Sequence, residues 1–76
     1  MTERRKLSAL QPGEGGTVVE ISGSGDGVQR LMDMGLIRGT AVKVIRHAPL
    51  GDPLEVRVRG FMLTLRRSEA EHITVE

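Results

Sequence analysis

His47 and His72 are the only imidazoles in the chain, and no cysteine accompanies them. A metal centre of imidazole nitrogen and carboxylate oxygen needs both histidines to converge with residues such as Asp52, Glu69 or Glu71. No His-x-x-Glu-His or similar spacing links them, so they read as surface histidines, with an Fe(II) site at His47 and His72 as the alternative. A second constellation, Gly23-x-Gly25-x-Gly27 ahead of a helix, sits where backbone N–H groups can cradle a phosphate. It lacks the G-x-G-x-x-G spacing and a following lysine, and Asp26 puts a carboxylate where the phosphate belongs. It reads as a flexible loop leading into a capped helix. Ser8, Ser22, Ser24 and Ser68 are explained by turns or caps, so no nucleophile, base and orienter assemble. Neither enzymatic activity nor a cofactor is expected.

Binding chemistry is better represented. Arg57, Arg59, Arg66 and Arg67, extended by Lys43 and Arg46, form either a solvated sheet face interleaved with Glu55 and Glu69 or a positive patch for an acidic protein surface. Met34, Leu36, Leu50 and Met62 fall outside the main inward stripes, and exposed apolar residues with adaptable methionine mark partner sites. The expected partner-binding set is therefore Met34, Leu36, Leu50, Met62, Arg57 and Arg59. Leu36 has a second reading, because packing beside a helix stop accounts for it equally well.

The bulk properties narrow the class. Eleven Lys plus Arg against ten Asp plus Glu leave a net charge of +1, which argues against a dedicated nucleic-acid binder. One Phe with no Trp or Tyr removes the stacking platform of single-strand binders and the aromatic groove that takes proline-rich peptides. Seventy-six residues support one core. The absence of cysteine fits a reducing compartment, and no run approaches the ~20 apolar residues of a membrane span. A soluble cytoplasmic protein is expected.

These side chains must be positioned by short elements. Residues 1–6 read as a flexible N-terminal segment or an edge, and 7–76 as the domain, with Leu7 and Leu10 as first anchors before the Gln11-Pro12-Gly13 turn. Gly15 to Ile21 alternates as a strand with Val19 and Ile21 inward. Asp26 is a candidate N-cap with Gln29 at N3, and Val28, Leu31 and Met32 form the helix's apolar stripe. Gly35 stops that helix, and Leu36 beyond it is placed to contact Leu31. The period then becomes 2 from Ala41 to Ile45, again from Leu54 to Arg59, and again from Phe61 to Arg66. The loop His47 to Pro53 is the hairpin tip, and Arg59-Gly60 a tight connection. Ser68 with Glu71 reads as the capping box of one helical turn, and Ile73 to Val75 closes the chain. Five short strands, one short α-helix and a C-terminal helical turn argue a mainly β fold, a small barrel.

Arg30-Leu31-Met32-Asp33-Met34-Gly35-Leu36-Ile37-Arg38-Gly39, Val42-Lys43-Val44, Pro49-Leu50-Gly51-Asp52-Pro53, and Val58 to Arg66 followed by Glu69-Ala70 occur in this order. Over Leu7 to Val75 the chain resembles the FeoA family. The resemblance implies an SH3-like β-barrel with an inserted helix, acting in bacterial ferrous iron uptake beside the membrane transporter FeoB. Its cytosolic GTP-binding domain is the implied partner, and contact with the membrane is only through the transporter. The family also resembles the C-terminal SH3-like domain of iron-dependent repressors, which supplies the alternative of a metal-responsive regulatory domain. Nucleic acid is not an expected partner, and no oligomeric state is implied.

Overall fold

Glycine ends the principal helix, α1 (Asp26–Asp33), and the way it does so decides where the next side chain goes. The computed structural model describes residues 3–23 and 26–76. Past the last turn, Gly35 takes φ +107, a left-handed value that glycine alone adopts easily. Its N–H donates to the Met32 carbonyl at 3.0 Å, and the Leu36 N–H donates to the Leu31 carbonyl at 3.0 Å. These are the two bonds of a Schellman stop, and they satisfy helical carbonyls that otherwise lack partners. Leu36 is turned inward with 0 % of its surface exposed, in the same core cluster as Leu31. Asp26, read as the cap, is itself helical, and Ser24 and Gly25 of the glycine loop lie outside the described residues. Gln29 does not reach back as N3; its Nε2 donates to Asp33 Oδ1 at 2.9 Å.

The strands are β1 (Arg5–Lys6), β2 (Gly15–Ile21), β3 (Ala41–His47), β4 (Leu54–Val58), β5 (Phe61–Leu65) and β6 (Ile73–Val75). A four-residue helix, α2 (Arg67–Ala70), joins β5 to β6. Order across the six-stranded sheet is β1-β6-β2-β3-β4-β5, every pair antiparallel. Five strands are legible in the sequence. The sixth, Arg5–Lys6, lies inside the segment read as flexible or as an edge, and pairs with Thr74 and Val75.

β2 turns the sheet into a barrel-like shell by belonging to both halves. Its first residues, Gly15 to Thr17, pair with β3, and Val18 to Ile21 pair with β6, with a bulge between Val18 and Glu20. A bulge inserts one unpaired residue and bends the strand. That insertion overturns the even alternation that sets Val19 and Ile21 inward: Val18 is buried, Val19 is only half-buried, and Ile21 still packs on the core. A second irregularity, between Val44 and Arg46, bends β3. The core between the two halves unites Leu7, Leu10, Val42, Val44, Leu54, Val56, Val58, Leu65, Ile73 and Val75 with Leu31 and Leu36 from the helix and its stop.

α2 begins one residue before the expected turn. Glu69, not Glu71, supplies the reciprocal bond, its Oε1 accepting from the Arg66 N–H at 2.8 Å. Because the helix starts at Arg67 with Arg66 at the cap, Glu69 falls at the third helical position, and Arg30 of α1 holds its other oxygen at 2.7 Å. Among the described residues, no helix is long and apolar enough to cross a membrane.

Candidate docking surface

The outward face of the β2–β5 half follows from strand alternation. Val42, Val44, Val56 and Val58 point into the core, so Lys43 and Arg57 between them point out. Register sets Lys43 against Arg57 and Arg57 against Met62, with Gly15 of β2 opposite Lys43. Arg59 sits in the two-residue turn that joins β4 to β5, at φ +52, followed by Gly60 at φ +85. Two positive φ values match the twist of a tight hairpin. Its Nη2 lies 3.4 Å from Thr40 Oγ1.

A groove of about 460 Å³ runs along this face, lined by Gly15, Gly16, Thr17, Lys43, Arg57 and Arg59 among others. The glycines are demanded by strand packing. A Cβ on Gly15 would lie 2.6 Å from the Val42 carbonyl oxygen, and one on Gly16 would lie 2.8 Å from the Glu76 carbonyl oxygen. The cleft over β2 is thus a by-product of two strands brought close.

Its charge is unbalanced. Among the described residues, ion pairs join Arg4 to Glu76, Arg5 to Glu14, Arg30 to Glu69 and Arg46 to Glu55. Lys43, Arg57 and Arg59 belong to none of these pairs, and no Asp or Glu lines the groove. Glu55, expected to interleave with the arginines, is taken by Arg46 instead. A nearly neutral chain therefore presents a locally positive cleft with an apolar margin at Met62, half exposed on the neighbouring strand.

The rest of the partner set divides. Met34 is at the end of α1, where Arg30 Nη1 lies 3.4 Å from its sulfur, and it retains 36 % exposure. A Cβ on the adjacent Gly35 would lie 3.8 Å from Val58 Cγ1, which places this helix end near the β4–β5 turn. Leu50 sits at the opposite end of β4, five residues or about 16 Å away, in the 3-10 turn Pro49–Gly51. Leu36 is not on the surface at all: the Schellman bond that stops α1 carries it into the core. Arg57, Arg59 and Met62 share one face, Met34 borders the same end, Leu50 stands apart, and Leu36 is removed.

Two exposed apolar residues escape the sequence pattern, Ile37 at 40 % and Phe61 at 67 %. Phe61 alternates with Leu63 and Leu65 as an inward residue should. Its cross-strand partner Val58 is buried, but β5 is an edge strand of the sheet and Phe61 is its first residue, so the ring overhangs the core. The tight Arg59-Gly60 turn beside it was the available signal.

The histidines have separate structural duties. His47 Nε2 lies 3.0 Å from the Leu10 carbonyl, and since a carbonyl only accepts, the proton in that bond belongs to the ring. His72 offers its carbonyl to the Ser22 N–H at 2.8 Å, and its ring lies where a Cβ on Gly23 would come within 2.8 Å of Nδ1. Among the described residues, no group of three or more His, Cys, Asp and Glu is placed to hold a metal ion.

Residues 5–76 match the model of the FeoA domain. A fusion of Fe(2+) transport protein A with the Fe(2+) transporter FeoB, from Porphyromonas gingivalis, is 35 % identical over 71 residues. That alignment takes in 93 % of this chain and 8 % of the relative, so the chain spans less than a tenth of that protein. The solution structure of the FeoA protein from Chlorobium tepidum is 50 % identical, with a TM-score of 0.87 over 95 % of this chain and 69 % of that one. The Stenotrophomonas maltophilia FeoA, complexed with zinc and described as a prokaryotic SH3 domain protein, is 28 % identical, with a TM-score of 0.80 over 92 % of this chain and 87 % of that one. The six-stranded antiparallel shell is accordingly SH3-like, with its edges β1 and β5 left unjoined to each other.

Proposed function

We propose, on the premise that this chain belongs to the FeoA domain family, that it is a small cytoplasmic accessory protein of bacterial ferrous iron uptake that docks on the cytosolic GTP-binding part of a FeoB-type transporter. The family is one of non-enzymatic domains. The single observation that carries the docking reading is the Porphyromonas gingivalis relative, in which a homologous segment and a FeoB transporter are one polypeptide. Covalent fusion holds two parts at high effective concentration, which is useful when the parts act together.

The docking surface is the positive groove, with Arg57 and Arg59 meeting an acidic surface and Met62 and Met34 supplying adaptable apolar contact at its margin. Guanidinium groups outside any internal ion pair are available to a partner's carboxylates without first giving up an intramolecular one. Calorimetric titration of the chain into the purified GTP-binding domain, run with GDP, with a GTP analogue and without nucleotide, tests the reading. Saturable binding in at least one state is expected. Absence of binding in all of them at 100-micromolar order concentrations, taken as about Kd-limiting for a weak transient contact, refutes it.

A further inference from the structure

Leu50 carries two costs that nothing inside the monomer offsets. Its side chain is completely exposed, at 104 % of the reference surface, the most exposed large apolar residue among those described. Its backbone holds φ +72, ψ +7, the left-handed region that disfavours any residue with a Cβ. Glycine suits that conformation, and the next residue is a glycine that adopts it, Gly51 at φ +82. A leucine kept where glycine is easier, and aimed at water, is an outlier that asks for a use.

The loop that presents it is tied down. The Ala48 N–H donates to the Pro53 carbonyl at 2.9 Å, and the Gly51 N–H returns to the Ala48 carbonyl at 2.8 Å. From α2, the Arg67 N–H donates to Asp52 Oδ1 at 3.0 Å, and Arg67 Nη1 donates to the Gly51 carbonyl at 3.3 Å. Pro49 opens the turn with its φ already set. The leucine is therefore displayed in one backbone geometry, which lowers the ordering cost of binding.

We propose that Leu50 is a preorganised anchor that inserts into a pocket one leucine wide on a partner protein, with carboxylates at the pocket rim. The rim chemistry comes from the anchor's surroundings. Arg66 and Arg67 lie on the segment that braces the loop and belong to no ion pair among the described residues, while Arg46 and Glu55 on the flanking strands neutralise each other. Asp52, the one acid in the loop, already accepts from the Arg67 N–H. A lipid surface fits less well: a whole myristoyl chain gives only marginal, reversible membrane binding, and one leucine offers a fraction of that apolar surface. A hot spot of this kind works only in a desolvated protein pocket. The proposal rests on the docking reading above and adds a second contact at the far end of β4 from the groove.

The test compares wild type with Leu50→Gly and Leu50→Met against the purified GTP-binding domain of the FeoB-type transporter. Leu50→Gly suits the positive φ and keeps the fold, so its thermal midpoint stays near that of the wild type, while its affinity falls by about 10- to 100-fold. Leu50→Met binds within about threefold of wild type, as a volume-conserving apolar change should. If wild type binds and Leu50→Gly binds equally well, the anchor is overturned and the docking reading stands. If wild type binds in no nucleotide state, the docking reading falls and the anchor falls with it. Leu50-dependent co-sedimentation with phosphatidylcholine vesicles containing phosphatidylserine, without loss of protein binding in Leu50→Gly, overturns the protein pocket in favour of lipid.

Discussion

Replacing Leu36 by alanine separates a core residue from a surface one. Leu36 has 0 % exposure and packs with Leu31, Val58 and the rest of the central cluster, so truncation removes buried methyl groups and leaves a cavity. Changes of this kind cost about 2–5 kcal/mol, the spread reflecting how far the site collapses. The whole domain, at 76 residues, has on the order of 4–11 kcal/mol to lose. A loss of about 3 kcal/mol lowers the melting temperature by about 12–24 °C at this chain length. The backbone bond from the Leu36 N–H to Leu31 survives the substitution, so the loss measures packing alone. Urea unfolding followed by circular dichroism, with slope as well as midpoint, is the appropriate assay. A destabilisation below about 1 kcal/mol, together with weakened partner binding, would refute the placement of Leu36 in the core.

Gly35→Ala probes the same helix stop through the backbone: the new Cβ meets only Val58 Cγ1 at an ordinary 3.8 Å, so a loss of about 1–3 kcal/mol comes from φ +107, and chemical denaturation showing no loss contradicts that. Glu69 links α1 to α2 and gives a pH signature. Burial pushes its carboxyl up, but the Arg66 N–H bond and the Arg30 guanidinium together outweigh burial and hold it below the ordinary carboxylate range. A depressed folded-state value means that the stabilisation is complete above the unfolded carboxyl pKa and is lost as pH falls through the folded one. The stability gap between wild type and Glu69→Gln, read from melting temperatures, is therefore expected at pH 7 and closes below about pH 4; a gap that widens on acidification reverses the sign and fails. Arg57→Glu with Arg59→Glu should slow association with the GTP-binding domain by about tenfold at low salt and flatten its salt dependence, in stopped-flow measurements. Unchanged rates would show that the groove is not where the partner lands.

Backbone stops, tight turns and the apolar period are legible in the chain by itself, whereas the two side-chain capping pairs, Asp26 with Gln29 and Ser68 with Glu71, span only three residues and still do not form. The Gly35 stop, the Leu36-to-Leu31 closure, the Arg59-Gly60 turn, the alternation of β4 and the anchoring by Leu7 and Leu10 all follow from local backbone preference and apolar period. The tertiary structure decided the rest. Arg5–Lys6 has no strand pattern of its own and becomes one because β6 offers an unpaired edge. The bulge after Val18 exists because β2 must serve two partners, and one inserted residue exchanges the faces of Val18 and Val19. Glu69 rather than Glu71 closes the α2 turn because the helix starts at Arg67 and not after Ser68, and Arg30, thirty-nine residues earlier, bonds the same carboxylate. Of the partner set read from the sequence, Leu36 and Leu50 looked alike as apolar residues outside the stripes. One was drawn into the core by a helix stop and the other held out in water by a braced loop, because burial depends on what the rest of the chain brings alongside, which no local pattern records.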